Sequence, residues 1–494
     1  MASRPDPPGL GRSTVDNGAR PAEKRAARIA SAIEKEIAGS RLPAGRIIGS
    51  EADLVQRFET SKTVLREAVR LLEQHGVATT RRGPGGGLVV TQPDAAAVAD
   101  AAIALLEYSN VAVVDLVEVL YLLEPMAASL AAGQVTEDGI RQLREHGAGA
   151  RGGGSMWSRH TQMHSLLAEM AGNPVLRLFI DVCSTLLTWF ATRTMAAEGP
   201  WAAEMAKTEP DLVHAQERLA DAVALGDPVA AEQTATRHLQ AMLNWVTATE
   251  VRLARLRRGR REVTGLHDRL PESKAAPALA EHIRSDIVAL GWPLGANLGS
   301  ESELINRYGV SRTILRQAVR ILEYEHVAVM RRGPSGGLIL TEPSIRSVTV
   351  AAALFLGRQA VRASDLLPVR TRLELGCLDL LLSHDAIDLS AEMQKLLDAG
   401  GSTGQGSLPE FHTGLSRLTG NPALTLFQQV TGALADVATT QSATAASDGG
   451  ACSAAEVVAR LQAEHAAIAE AIVARDVAIA RQRLLRHLEY RACG

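Results

Sequence analysis

The 494-residue sequence has few cysteines, almost no net charge and no long apolar run. Its four cysteines, Cys183, Cys377, Cys452 and Cys493, form no CxxC pair. That excludes a disulfide framework, so a reducing compartment, the cytoplasm, is expected. Formal net charge is −3 with an isoelectric point near 6.5. No global basic field draws the chain to nucleic acid, and such a partner must be met by local patches. No charge-free apolar run reaches eighteen residues, the longest being cut by Asp115, Glu118 and Glu124 or by Arg358, and the N-terminus has no signal-peptide core. A chain neither inserted in nor anchored to a membrane is expected. Residues 1–21 are rich in Pro, Gly and polar residues and cannot bury enough apolar surface to order themselves, which predicts a disordered tail.

What the chain does have is an internal repeat. "TSKTVLREAVRLLEQHGVATTRRGPGGGLVV" from residue 60 returns as "VSRTILRQAVRILEYEHVAVMRRGPSGGLIL" from residue 310, an offset of 250 (310 − 60). "GSEADL" at 49 matches "GSESEL" at 299, and "AGNPVLRLF" at 171 matches "TGNPALTLF" at 419. The length suggests two to four domains, and the repeat makes the number even. Each copy opens with mixed helix and strand signals and continues as Ala/Leu-rich helix.

From Ser61, the residues Val64, Leu65, Ala68, Val69 and Leu72 form one apolar face, while Lys62, Arg66 and Arg70 form a cationic stripe elsewhere. Ser50 caps an amphipathic segment just upstream, and a tight connection at residues 59–60 joins the two helices. "VATT" and "GLVVT" then bracket "RRGPGGG", the pattern of a two-stranded wing with a glycine tip. A helix with a polar first half suits the major groove, and a glycine wing lets backbone approach the neighbouring groove. Cations at helix and wing tips in both copies point to DNA rather than to a solvated scaffold.

These stretches resemble winged helix-turn-helix domains of the GntR superfamily. The resemblance implies contacts to bases and phosphates by Ser61, Lys62, Thr63, Arg66, Arg82 and Gly83 in the first copy. In the second it implies Ser311, Arg312, Thr313, Arg316, Arg332 and Gly333. The family commonly has Ser-Glu-Arg at the start of the preceding helix, where this chain has Ser50-Glu51-Ala52 and Ser300-Glu301-Ser302. Lys62 also stands where the second copy has Arg312, and a Lys cannot make the bidentate fork to guanine. Two unequal half-sites are expected.

In the helical part of the second copy, His465 lies eleven residues before Asp476 and His487 eleven after it (476 − 465 and 487 − 476). A helix end followed by an N-cap at Asp476 would make an antiparallel pair that brings the two imidazoles level. With His412 from a third helix they would suit a divalent ion, zinc by default, whose binding would weaken as pH falls through about 6.5. These halves resemble the all-helical FCD ligand-binding domain of the FadR-like branch, in which a metal helps hold a carboxylate effector. The resemblance puts His412, His465 and His487 at the family's three His positions and Leu408 at its Asp. In the first copy it puts His160, His164, Gln216 and His238 at the same four places, a weaker site. Arg370 is a candidate carboxylate clamp or a partner of Glu374, and the first copy has Leu120 in its place.

The expected fold is mainly α with small β wings: two winged helix-turn-helix domains (22–95 and 273–345), two helical bundle domains (96–250 and 346–494) and a basic linker (251–272). The expected function is a transcription regulator whose two heads form an intrachain pseudo-dimer on a pseudo-palindromic DNA operator and whose helical domains sense a small carboxylate or acyl effector. A metal-dependent hydrolase lacks a general base beside its histidines, since Glu464 faces away from the cluster in this reading. An architectural DNA-bound protein with inactive sensor domains is the other alternative.

Overall fold

A computed structural model describes the chain apart from residues 1–20, 40–41, 44, 75–76, 82, 84, 92–94, 150–155, 196–199, 258–271, 332, 334–335, 344, 358, 360, 384–387, 402–407, 446–453 and 494. The first copy runs α1 (Pro21–Gly39), β1 (Ile47–Gly49), α2 (Glu51–Arg57), α3 (Lys62–Gln74), β2 (Ala78–Arg81), β3 (Gly87–Val90) and α4 (Ala95–Tyr108). It continues with α5 (Val113–Gly133), α6 (Glu137–Gly149), α7 (Met156–Met170), α8 (Pro174–Met195), α9 (Pro200–Ala224) and α10 (Pro228–Arg257). The second copy runs α11 (Glu272–Ala289), α12 (Glu301–Tyr308), α13 (Arg312–Tyr324), β4 (Ala328–Arg331), β5 (Gly337–Leu340) and α14 (Ile345–Gly357). Its remaining helices are α15 (Ala363–Ser383), α16 (Leu389–Gly401), α17 (Leu408–Leu418), α18 (Pro422–Ala445), α19 (Ala454–Val473) and α20 (Val477–Cys493). These elements fall into two units, residues 1–110 with 252–358 and residues 111–251 with 359–494, so each unit takes part of both copies.

The first unit holds both winged heads. Ser50 and Ser300 start α2 and α12 as N-caps, each closing a capping box with the acid three residues on: the Asp53 amide reaches the Ser50 hydroxyl at 3.2 Å, and the Ser50 amide donates to the Asp53 carboxylate at 3.0 Å. That explains why "GSEADL" and "GSESEL" recur, since each cap contributes about 1 kcal/mol. One face of α3 buries Leu65, Ala68 and Leu72, and the matching face of α13 buries Leu315, Ala318 and Leu322. The wing is tied to the helix before it, the Thr80 amide donating to Glu73 at 2.8 Å and the Met330 amide to Glu323 at 3.1 Å. Gly87 and Gly337 hold φ near 155°, and a Cβ there would lie 2.4 Å from the Gly49 carbonyl oxygen or 2.2 Å from Asn297 Oδ1. Strand β1, unforeseen in the sequence reading, adds a third strand in the first head, where the second has a single bridge between Asn297 and Ile339.

Helices α4 and α14, which the sequence reading counts with the helical domains, sit in this first unit by their contacts and cross over. Helix α4 packs on α14 and on α11 of the second head, while α14 packs on α1 of the first. On α11, the buried Arg284 lies 2.6 Å from Glu107 at the end of α4 and 2.6 Å from Glu325 after α13, and the Tyr108 ring meets Trp292 at 5.5 Å. The first head has Glu34, itself buried, at the Arg284 position (284 − 250).

The second unit packs the helical parts together, with Phe179 and Phe427 rings 4.7 Å apart. The repeated Gly-Asn-Pro has a specific job here. Gly172 and Gly420 turn at positive φ, Pro174 and Pro422 begin α8 and α18, and the Asn side-chain oxygens accept from the amides of Leu176 (3.0 Å) and Leu424 (2.8 Å). Each Asn amide then donates into the other copy: Asn173 to the Asp365 carbonyl at 2.9 Å, and Asn421 to the Asp115 carbonyl at 3.0 Å and the Glu118 carboxylate at 2.8 Å. No helix among the described residues is long and apolar enough to cross a membrane.

Candidate nucleic-acid interface and metal centre

In each head the second helix of the motif starts at a serine cap, the Val64 amide donating to Ser61 Oγ and the Ile314 amide to Ser311 Oγ, both at 3.3 Å. The two serines therefore fix the helix start as well as facing outward. Lys62, Thr63, Arg312 and Thr313 are exposed beside them. One turn on, Arg66 Nε donates to Glu51 at 2.9 Å and Arg316 Nε to Glu301 at 2.8 Å, and Arg312 lies 3.5 Å from the same Glu301. These acids hold the arginines in one pose in both heads, a role the sequence reading did not assign. Its signal was there, an acid at the same place in both copies directly after a capping serine. Between α3 and the wing lies a 690 Å³ cleft lined by Glu51, Arg66, Arg81 and Gly83; its counterpart is a 540 Å³ cleft lined by Glu301, Arg316, Arg331 and Gly333. Gly83 and Gly333 turn the wing tips at φ 104° and 118° with open space where a side chain would stand. Arg82 and Arg332 lie outside the described residues. Where the resembled family has its additional Arg, Ala52 offers no donor and Ser302 lies 3.2 Å from the capping Ser300 hydroxyl.

In the second unit His412 on α17, His465 on α19 and His487 on α20 are buried and bring their ligand atoms within 4.8 Å of one another. Asp476 caps α20, its carboxylate accepting from the Ile479 amide at 3.0 Å, so the α19–α20 pair levels the two rings as the spacing predicts. Nε2 of His487 lies 3.1 Å from Nε2 of His412 and 3.3 Å from Nε2 of His465. The outer nitrogens are held by carboxylates: His412 Nδ1 by Glu374 at 2.5 Å and His487 Nδ1 by Glu464 at 2.7 Å. Glu464 thus departs from the sequence reading. It does lie outside the cluster, but its carboxylate reaches across to the back of the neighbouring helix's ring. Burial would raise Glu374, yet His412 and Arg370 outweigh it and hold the acid well below the usual range. Arg370, 6% exposed, gives its Nε to Glu374 at 2.8 Å, so of its two expected roles this pairing is the one on view. Leu408 begins α17.

With both rings neutral, the two carboxylates fix the protons on Nδ1 of His412 and His487. The Nε2 lone pairs then face one another across 3.1 Å. That is repulsive unless a proton or a metal ion lies between them, and metal–nitrogen bonds of about 2.0–2.1 Å at a tetrahedral angle separate two nitrogens by about 3.3 Å. The donor set fits a divalent ion. Burial pushes the His487 ring down to about 4, with His412 acting in the same direction and Glu464 and Glu374 opposing it.

The first-copy cluster, His160 and His164 on α7 with His238 on α10, is closed differently. Gln216 on α9 lies 2.7 Å from His160 Nδ1, His160 Nε2 lies 2.8 Å from His164 Nε2, and His164 Nδ1 meets Glu124. Protons can run amide to His160, His160 to His164 and His164 to Glu124, so each contact has one donor and one acceptor without a metal. His160 Nε2 also touches Met242 Sδ at 3.2 Å. Burial pushes His160 well below its ordinary value, the neighbouring histidines adding to it. Burial likewise takes His238 down to about 4, against the pull of Glu124.

The chain matches known families along most of its length. The model for Bacterial regulatory proteins, gntR family, matches residues 25–88 and 276–336, and the model for the FCD domain matches 115–241 and 365–490. The Exu regulon transcriptional regulator of Escherichia coli (strain K12) is 31% identical over 165 residues, 32% of this chain. The matched part of the chain spans 60% of that regulator's length. The HTH-type transcriptional regulator LutR of Bacillus subtilis (strain 168) is 28% identical over 215 residues, 41% of this chain and 92% of LutR. Among solved structures, a Streptococcus agalactiae GntR aligns over 44% of this chain and 99% of its own at 18% identity, with a TM-score of 0.33.

Proposed function

Since the chain belongs to the gntR family of bacterial regulatory proteins, as a transcriptional regulator with two FCD domains and not an enzyme, we propose that it carries both halves of a dimeric regulator in one polypeptide. Its two heads read the two halves of a pseudo-palindromic operator. The observation that carries this reading is the duplicated cleft, in which Arg66 and Arg316 are held by Glu51 and Glu301 at 2.9 and 2.8 Å beside a glycine wing tip. Exposed cations at the start of a helix meet phosphates and base edges, and Lys62 against Arg312 makes the half-sites unequal. The reciprocal Asn173 and Asn421 bonds support an intrachain pseudo-dimer of the helical parts.

The helical parts sense a small carboxylate. In the second copy His412, His465 and His487 hold a divalent ion, zinc by default, which supplies Lewis acidity toward the effector's acid group. Glu374 and Glu464 orient two of the rings, and Arg370 meets the distal end of the effector. The first-copy His160, His164 and His238 hold metal more weakly, because Gln216 and Glu124 already engage His160 and His164. Effector binding shifts the spacing of the two recognition helices, a coupling typically of about 1–3 kcal/mol. The regulator works in the bacterial cytoplasm. Selection of bound fragments from genomic DNA tests the reading: a few sites, each with two related halves, are expected, and recovery of fragments with no shared sequence would refute it.

A further inference from the structure

His238 is 3% exposed, yet neither of its ring nitrogens has a hydrogen-bond partner among the described residues. The Gln216–His160–His164–Glu124 chain passes it by. A buried polar group left unpaired marks a place where a partner is missing. His238 lines a 360 Å³ cavity between α9 and α10, together with Arg218, Arg237, His214, Trp245 and Asp211. That volume lies within the range of about 300–1,000 Å³ that holds small molecules.

The lining carries more positive than negative charge. Arg218 has no ion pair among the described residues. Arg237 donates to the Gln233 carbonyl at 3.2 Å and the Thr234 hydroxyl at 3.3 Å, neither of them an acid. Against these two guanidiniums stands one carboxylate, Asp211. Trp245 and the alanines 215 and 241 give the same cavity an apolar wall. The second copy lacks this arrangement: with His465 matching Gln216 (465 − 216 = 249), His214 and Arg218 correspond to Ala463 and Ala467. The first copy therefore has an imidazole and a guanidinium where the second has two methyl groups, beside the unpaired His238 ring, while Arg237 has its counterpart in Arg486 (237 + 249 = 486).

We propose that the α9–α10 cavity is a separate anion site of the first copy, taking a small organic acid whose carboxylate bridges Arg218 and Arg237, whose apolar body lies on Trp245 and whose inner end reaches His238. A guanidinium pair suits a carboxylate because its planar fork matches the two oxygens, and a flat apolar body gains from stacking on an indole. The site does not depend on the metal or effector reading of the second copy, and its failure leaves that reading intact.

Titration calorimetry on the full, chelator-treated chain tests it, with benzoate as the acid bearing an apolar body and inorganic phosphate as the bare oxyanion. One benzoate per chain is expected, with phosphate weaker. Arg218→Gln should weaken benzoate about tenfold or more, the effect of losing one charge-assisted contact. Trp245→Ala should weaken benzoate and leave phosphate unchanged. Retained operator binding by the Arg218 variant shows that it is folded, since that side chain is exposed. The proposal is overturned by absence of benzoate binding at millimolar concentration or by equal benzoate affinity in wild type and Arg218→Gln. Phosphate binding as tight as benzoate would also overturn it, by showing a bare oxyanion site with no use for the indole wall.

Discussion

His412 and His487 differ from ordinary buried histidines in that each has one nitrogen committed to a carboxylate, which leaves the other pointing at its neighbour. Purified protein should therefore carry metal that His465→Ala loses and His238→Ala keeps. Equal metal content in wild type and the His465 variant would remove the second-copy site. Because burial holds His487 down to about 4, protons compete for it only near that value. Loading should fall on acidification, with the His487 ligand giving way only below the roughly 6.5 of a free imidazole. In the heads, Arg66→Ala and Arg316→Ala should each weaken operator binding, by about 1–3 kcal/mol where the lost contact is bidentate to a base. Unchanged affinity of both variants at matched salt would contradict the recognition-helix assignment. The histidines were legible because residue type and helical spacing are written in the chain. The ring contacts of Glu374, Glu464 and Gln216 were not, because these residues reach their rings from other helices, and only the packing decides which ones.

At the scale of elements, the Gly-Asn-Pro turns carry more than a helix start. Asn421 is 3% exposed and its one side chain serves the α18 cap and two acceptors on the other copy. Asn421→Ala should cost about 2–3 kcal/mol, a lost cap plus buried acceptors left unpaired. Chemical denaturation checks this; a change below about 0.5 kcal/mol, the size of an ordinary surface substitution, would show that the bonds into the other copy contribute nothing. Capping boxes, helix faces and the wing were readable from local pattern, because each is decided within a few residues. The exchange of α4 and α14 between heads was not. Both are Ala-rich and apolar over most of their surface, so their sequences do not say which head they cover, and the ion group around Arg284 pairs residues far apart in the chain.

The whole molecule joins buried neutral imidazoles to two reading heads on one chain. Burial holds the His238 and His487 rings down to about 4 in metal-free protein, below the roughly 6.5 of the unfolded chain, so as pH falls the unfolded state takes up protons first. Stability is full above about 6.5 and is lost as pH falls toward 4, by a few kcal/mol in total. Thermal unfolding at pH 7, 5.5 and 4.5 should show a falling midpoint, and an unchanged one would contradict the burial of neutral rings. The duplication itself was plain in the sequence at an offset of 250. The central claim is that one chain does the work of two. Footprinting of the selected operator at one chain per duplex tests it most directly, with wild type beside Arg66→Ala and Arg316→Ala. The expected result is protection of two related half-sites by a single chain, with each variant losing a different half. Protection of only one half-site per chain, or loss of the same half in both variants, would contradict the account.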